Sequence, residues 1–195
     1  MLENRRGADL LVDCLINQEV SKVFGVPGES FLGFLDAILE NNKINWIGNR
    51  HEGGASFMAG AYAQLTGKPG VCFVTRAPGA SNASIGIHSA MQGSVPLILF
   101  VGQINSNFIG RESFQELNYK SFFQDIAKDI FEITNIERIP EIIGRSFKTA
   151  LSGRKGPVIV SLPEDIFLQK TFVKPTKKIK ISNTFPSPEN IKDII

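Results

Sequence analysis

The sequence predicts an α/β fold: a three-layer sandwich with a mainly parallel central sheet of about six strands and helices on both faces. Three observations carry the expectation. Short apolar runs alternate along the chain with segments of helical periodicity. Two of the runs, 71–75 and 96–101, are apolar at nearly every position, as strands buried on both faces by covering helices are. Repeats of strand, helix and strand close as right-handed crossovers into an open parallel sheet.

Taken in order, Ala8, Leu11, Val12 and Leu15 share one face at helical spacing and predict a helix over 7–18. Residues 22–25 form a short strand, and Val26-Pro27-Gly28 is a turn. Ser30 is placed to cap a helix running to Glu40, with Phe31, Phe34, Leu35 and Ile38 turned inward. A strand follows at 45–48, then a helix over 52–66 that Gly67 and Pro69 end. The strand at 71–75 leads into a Pro78-Gly79 turn and a helix from about 81 to 92. After the strand at 96–101, residues 105–120 read as an irregular loop, and 125–127 end a short helix. A strand at 130–133, a helix at 140–151 and a strand at 158–162 complete the pattern.

Beyond Leu168 the character changes. Lys170, Lys174, Lys177, Lys178 and Lys180 alternate with Pro175 and β-branched residues. A basic run can touch nucleic acid or phosphate, but without a surrounding basic face it reads as a solvated linker. Ser187 then suits an N-cap and Pro188 a first helical position, and Ile191, Ile194 and Ile195 begin an apolar stripe. The expected organisation is a domain over 1–168, a linker over 169–186, and at 187–195 the start of a second domain belonging to a longer protein.

The length suffices for one domain with a substantial core. A net charge of +2 is too small to make nucleic acid the main partner. No apolar run is long enough to span a bilayer, and no signal pattern opens the chain, so a cytoplasmic protein is expected. Cys14 and Cys72 lie in apolar-periodic segments without C-x-x-C spacing and read as buried, reduced thiols; no metal site is expected.

In open parallel sheets, ligands collect at the carboxyl ends of the strands. That rule singles out three turns: 26–30, 50–54 and 75–82. Gly25-Val26-Pro27-Gly28 lacks the spacing of a dinucleotide fingerprint, and no Walker loop, H-E-x-x-H or G-x-S-x-G motif occurs. Glu52 leads a helix that contains Gly53, Gly54, Ala55, Ala59, Gly60, Ala61 and Ala63. Glycine costs about 1 kcal/mol relative to alanine in a helix interior, so such a run suggests close approach of another backbone. The helix thus reads as carrying a carboxylate at a tight interface, and it is expected to lie between subunits. The plain alternative is that Glu52 only complements the helix N-terminus. Pro78 and Asn82 read locally as a strand-to-helix turn with an N-cap. His51 points away from its neighbour Glu52 and reads as a structural hydrogen-bonder, and His88 as a packed polar group inside a helix.

Six motifs occur in order: Gly25-Val26-Pro27-Gly28, Arg50-His51-Glu52, Gly67-Lys68-Pro69-Gly70, Pro78-Gly79-Ala80-Ser81-Asn82, the run from Val95 to Gln103, and Phe114-Gln115-Glu116. With these the chain, from about residue 8 to 168, resembles the N-terminal pyrimidine-binding (PYR) domain of the thiamine-diphosphate-dependent enzymes. That family includes acetolactate synthase, pyruvate oxidase and benzoylformate decarboxylase. The last two motifs are similar to the acetolactate synthase large (catalytic) subunit in particular.

The resemblance implies that Glu52 is catalytic, hydrogen-bonding N1′ of the cofactor's aminopyrimidine and exchanging a proton there. It implies that Pro78 and Asn82 line the pyrimidine, and that Phe114 and Gln115 project into the active site with Gln115 beside the cofactor. Pro27, Gly28, Glu29 and Ser30 would lie on the substrate side. The implied activity is decarboxylation of pyruvate and transfer of the two-carbon unit to a second 2-keto acid, a carboligase of branched-chain amino acid biosynthesis. The alternatives are another thiamine-diphosphate 2-keto acid decarboxylase or lyase, a small subunit that pairs with a diphosphate-binding chain, and a non-catalytic assembly module. Thiamine diphosphate with Mg2+ is the implied cofactor, its diphosphate and metal held by a domain not found in these residues and supplied by another subunit. A homodimer or higher homo-oligomer follows from that, with this chain alone inactive; FAD depends on a further domain and is left open.

Three departures from the acetolactate synthase pattern leave the substrate open. Glu29-Ser30 stands where small residues are usual, Ile104-Asn105 where a small apolar residue and proline are usual, and Arg76-Ala77 where Ser-Gly is usual.

Overall fold

A computed structural model describes residues 4–182 and 185–194. In chain order the elements are β1 (Arg5–Arg6), α1 (Gly7–Asn17), β2 (Lys22–Gly25), α2 (Leu32–Asn41), β3 (Asn45–Gly48), α3 (Glu52–Thr66), β4 (Gly70–Thr75), α4 (Arg76–Gln92), β5 (Leu97–Gln103), α5 (Tyr119–Phe123), β6 (Asp129–Glu132), α6 (Ile139–Leu151), β7 (Pro157–Pro163), β8 (Lys170–Thr171) and α7 (Pro188–Lys192). Six strands form one sheet in the order β3-β2-β4-β5-β7-β6, and every pairing in it is parallel. The expected three-layer α/β sandwich is the observed architecture.

The apolar run of β5 shows why the layers form. Successive strand residues point to opposite faces. Ile98 and Phe100 pack into a core closed by α1, α2 and α6. Leu97, Leu99 and Val101 pack into a second core closed by α3, α4 and α5. A strand with a helical layer on each side has no solvent face, so no polar alternation remains. On the first face Phe34, Phe73 and Phe100 stack in sequence, with ring centroids 3.8 Å and 4.5 Å apart. Each such pair contributes about 0.5–1.5 kcal/mol beyond its buried area.

Local chemistry sets the ends of α3. The His51 ring nitrogen Nδ1 accepts from the Gly53 N–H at 3.0 Å, and Gly67 closes the helix at φ 71°, a left-handed conformation that glycine adopts without a Cβ penalty.

Several boundaries differ from expectation. The helix α4 begins at Arg76, so Pro78 and Gly79 lie in its first turn rather than in a free turn. Proline is tolerated there because the first turn's N–H groups have no intrahelical partner. Asn82 therefore sits inside the helix and is not an N-cap. Ser30 does not cap α2: it lies in a 3-10 turn over Glu29–Phe31, is buried, and shares a hydrogen bond of 2.7 Å with the Thr75 hydroxyl. The loop after β5 contains a 3-10 turn at Ser106–Phe108, and α5 ends at Phe123, before residues 125–127.

The basic segment does not run free through solvent. Lys170–Thr171 pairs antiparallel with Arg5–Arg6. The chain then follows the end of α1: Asn17 and Gln18 donate side-chain hydrogen bonds to the carbonyls of Thr176 and Lys177, each at 2.9 Å, and the Ile179 N–H donates to Gln18 Oε1 at 3.0 Å. Lysine side chains stay exposed while Val173, Thr176 and Ile179 turn inward at intervals of three residues, outside any assigned strand. Ser187 caps α7 by accepting from the Asn190 N–H at 3.1 Å, and every described residue of α7 is exposed. Among the described residues no helix is long and apolar enough to cross a membrane.

Candidate active site

All six strands of the main sheet are parallel, so their carboxyl ends meet on one edge. From β2 the chain steps outward to β3, then returns across β2 through α3 to place β4 on the other side. The order reverses between β2 and β4, and connections leave these two strands in opposite directions, which opens a crevice. The turns after β2 and β4 meet there. A Cβ at Gly28 would overlap the Thr75 side chain. Glu29 stands 3.9 Å from the guanidinium of Arg76.

Small residues bring α3 and α4 together. A Cβ at Gly86 would stand 2.7 Å from Ser56 Cβ, and one at Gly53 would stand 3.2 Å from the Asn82 carbonyl oxygen. This close approach lets the Asn82 amide donate to Glu52 Oε2 at 2.9 Å, across thirty residues of sequence. The other Glu52 oxygen takes no hydrogen bond among the described residues. Glu52 is half-buried and Asn82 exposed. Pro78 and Asn82 stand four residues apart on α4 and so share one face of it. The buried stripe of α3, with Gly53, Ala55, Ser56, Ala59 and Ala63, is spent inside the chain. The outer face carries Phe57, Met58 and Leu65, all exposed.

Gln115 sits at the head of α4. Its backbone is left-handed at φ 66°, its carbonyl accepts from the Ala77 N–H at 3.2 Å, and its amide oxygen accepts from Arg76 Nη1 at 3.4 Å. Phe114 beside it is 82% exposed. A cleft of about 490 Å³ opens next to Glu29, lined also by Leu32, Asn105, Glu164 and Leu168. Pro27 is exposed and Gly28 half-buried at the crevice, whereas Ser30 faces inward.

Glu52 and Asn82 are thus joined directly, and Gln115 and Glu29 are joined through Arg76; α4 links the two groups. Thr75 and Arg76 fall in the turn 75–82 that the sequence singled out, and Arg76 stands where serine is usual, but neither was given a role there; Glu164 carried no signal. His51 is used as the cap of α3, as expected of a structural hydrogen-bonder; His88 is exposed rather than packed.

One Glu52 carboxylate oxygen is fixed by the Asn82 amide, and the other is unshared, so it can hold or exchange one proton with a ligand atom. Among the described residues no group of three or more His, Cys, Asp or Glu side chains converges to hold a metal ion.

Residues 5–122 match the family described as thiamine pyrophosphate enzyme, N-terminal TPP binding domain. The chain is 41% identical over 170 residues to an acetolactate synthase large subunit of Buchnera aphidicola subsp. Schizaphis graminum, covering 87% of this chain and 30% of that protein. It is 40% identical over 165 residues to the acetolactate synthase isozyme 3 large subunit of Escherichia coli K12, covering 85% and 29%. With the isozyme 2 large subunit of the same organism the identity is 36% over 184 residues, covering 94% and 33%. The chain therefore spans about a third or less of each of these relatives. An ordered motif set, a parallel sheet with Glu52 beyond the carboxyl end of β3 and joined to Asn82 on the helix after β4, and these matches agree: the chain belongs to the thiamine pyrophosphate enzyme family and carries its N-terminal TPP binding domain.

Proposed function

We propose that this chain is the pyrimidine-binding part of an acetolactate synthase-like enzyme that decarboxylates pyruvate and passes the two-carbon unit to a second 2-keto acid. The observation that carries the reading is Glu52, at the head of α3 on the carboxyl side of the sheet, held by Asn82 at 2.9 Å with its second oxygen unshared. Thiamine diphosphate, when bound, supplies the electron sink for loss of carbon dioxide. Glu52 hydrogen-bonds the pyrimidine N1′ and moves a proton at that atom; Asn82 orients the carboxyl. Pro78 lines the ring on the same face of α4. Gln115 supplies a polar contact beside the cofactor and Phe114 an apolar wall. Pro27, Gly28 and Glu29 border the substrate, and Ser30 acts from within by holding Thr75.

The remaining parts of the proposal extend beyond this chain. Mg2+ and the diphosphate are held by a separate domain, contributed by another subunit of a homodimer or larger homo-oligomer in the cytoplasm. The outer faces of α3 and α4, with Phe57, Met58 and Ile85, border that subunit. Residues 187–195 begin a second domain after a domain over 1–168.

Glu52→Gln in the full protein tests the reading, because the amide keeps the shape and cannot exchange a proton as a carboxyl does. Turnover falls by at least roughly 100-fold, the scale of a lost general acid–base, with thermal unfolding unchanged. Exchange of the cofactor's C2 proton, followed by NMR, slows in parallel. Parent-like exchange in Glu52→Gln sinks the assignment.

A further inference from the structure

We infer that Arg76 is a positioning residue that fixes the Phe114–Gln115 segment against the head of α4, and so fixes the polar contact that Gln115 makes. The inference rests on the proposed function for what Gln115 contacts, but the tether itself stands on geometry alone.

Arg76 is a non-glycine residue at φ 45°, at the carboxyl end of β4. Its side chain is only 15% exposed and spans three separate segments. Nη2 donates to Glu164, just after β7, at 2.8 Å. Nη1 donates to Gln115 Oε1 at 3.4 Å and lies 3.9 Å from Glu29, just after β2. The Ala77 N–H next to it donates to the Gln115 carbonyl at 3.2 Å. With carboxylates on two sides, the guanidinium's charge is matched, so its role is to brace rather than to capture an anionic substrate.

The loop it holds has little else to hold it. Among the described residues, segment 109–116 hydrogen-bonds outside 108–116 at two points, Arg76 and Ala77. Its other hydrogen bonds close on themselves. The Glu116 carboxylate accepts from the Gly110 and Ser113 N–H groups at 2.6 Å and 3.1 Å, and the Phe108 carbonyl accepts from the Arg111 N–H and the Ser113 hydroxyl. The segment is therefore a preformed loop that rejoins the fold at Leu117, whose carbonyl accepts from Gln103 at 3.0 Å, and is pinned along its own length at one spot, where Gln115 stands at φ 66°. Such a loop opens locally when its pin is lost, while the sheet beneath is unaffected.

Two measurements on the full protein test this. Amide hydrogen exchange is read first, without cofactor. Arg76→Ala raises exchange in peptides covering 109–116 by roughly tenfold or more, the scale of losing a charge-assisted hydrogen bond, while β4 and β5 peptides keep parent rates. Arg76→Lys retains the pairing with Glu164 but not the fork, so it restores the thermal midpoint and leaves the loop fast. It also serves if Arg76→Ala does not fold. Unchanged exchange in 109–116 in the folded variants overturns the tether.

The second measurement is a double-mutant cycle on kcat/KM. If Arg76 acts through Gln115, Arg76→Ala costs roughly tenfold in the parent and less than about twofold in a Gln115→Ala background. Effects that multiply independently overturn the positioning role even where the loop loosens. Because exchange is read without cofactor, it decides the tether even if Glu52→Gln shows the thiamine assignment to be wrong.

Discussion

Gly86→Ala should force α3 and α4 apart and unfold the protein at lower denaturant. A methyl group at 86 overlaps Ser56 Oγ and stands 2.7 Å from Ser56 Cβ and 3.0 Å from the Ser56 carbonyl carbon. Ordinary contact starts at 3.4 Å, so the backbones must separate by about 0.7 Å, because a Cβ cannot rotate away. The hydroxyl can rotate, but it then gives up its 2.9 Å bond to the Gly53 carbonyl inside a buried contact. Overpacking costs about 1–3 kcal/mol, and a buried hydroxyl without a partner about 1–3 kcal/mol. Alanine returns about 1 kcal/mol of helix propensity. The net loss is about 3 kcal/mol, which at a urea m-value of about 2 kcal/mol/M lowers the midpoint by roughly 1–2 M. The same separation lengthens the Glu52–Asn82 hydrogen bond, about one turn along the same helix pair. Ser56→Gly combined with Gly86→Ala removes both side-chain clashes and should recover more than half of the loss. Equilibrium urea unfolding of the two variants decides it. A single variant as stable as the parent, or a double variant no better than the single, refutes the argument that these two residues set the helix separation.

Acid should act through Asp9. Burial works against its charged form, but the hydrogen bonds and charge of Arg6, at 2.8 Å and 3.0 Å, outweigh burial and hold the carboxyl below its usual range. A depressed carboxyl contributes stability above its unfolded value of about 4 and loses it as pH falls through the folded value. The thermal midpoint of Asp9→Asn should therefore fall less steeply than the parent's between about pH 5 and 2; equal slopes would count against the pair. The thiols make a second case. Burial pushes Cys14 up to about 12 and raises Cys72 as well, and both side chains are buried. A thiol reagent near pH 8 should label neither until the protein unfolds, and prompt labelling of the native protein would contradict this.

Much of the fold was legible because it is dictated by neighbours in sequence. The strands at 22–25 and 45–48 and the helix at 52–66 follow from short apolar runs and from a glycine that stops the helix. The apolar run of β5 announced a strand with a helical layer on each side. The candidate glutamate was legible through its motif, since it leads a helix at the end of a strand. The start of α4 was not, because Pro78 and Gly79 fit equally well in a turn and in a helix's first turn. Local pattern carries no term that chooses between them.

What only the tertiary structure decided is which distant groups meet. Ser30 looked like a helix cap, yet its hydroxyl is claimed by Thr75, 45 residues away. The lysine-rich segment looked solvated, yet its carbonyls are claimed by side chains of Asn17 and Gln18 at the end of α1, 159 residues earlier. Asn82 reaches Glu52 only because glycine and serine let two helices touch, and Arg76 gains its role only where three strand ends converge. The sequence by itself determined most of the elements, the layers and which glutamate is the candidate, because periodicity and motif spacing are properties of adjacent residues. The partners of Ser30, Asn82 and Arg76 depend on sheet order and helix separation, which arise only when the whole core packs.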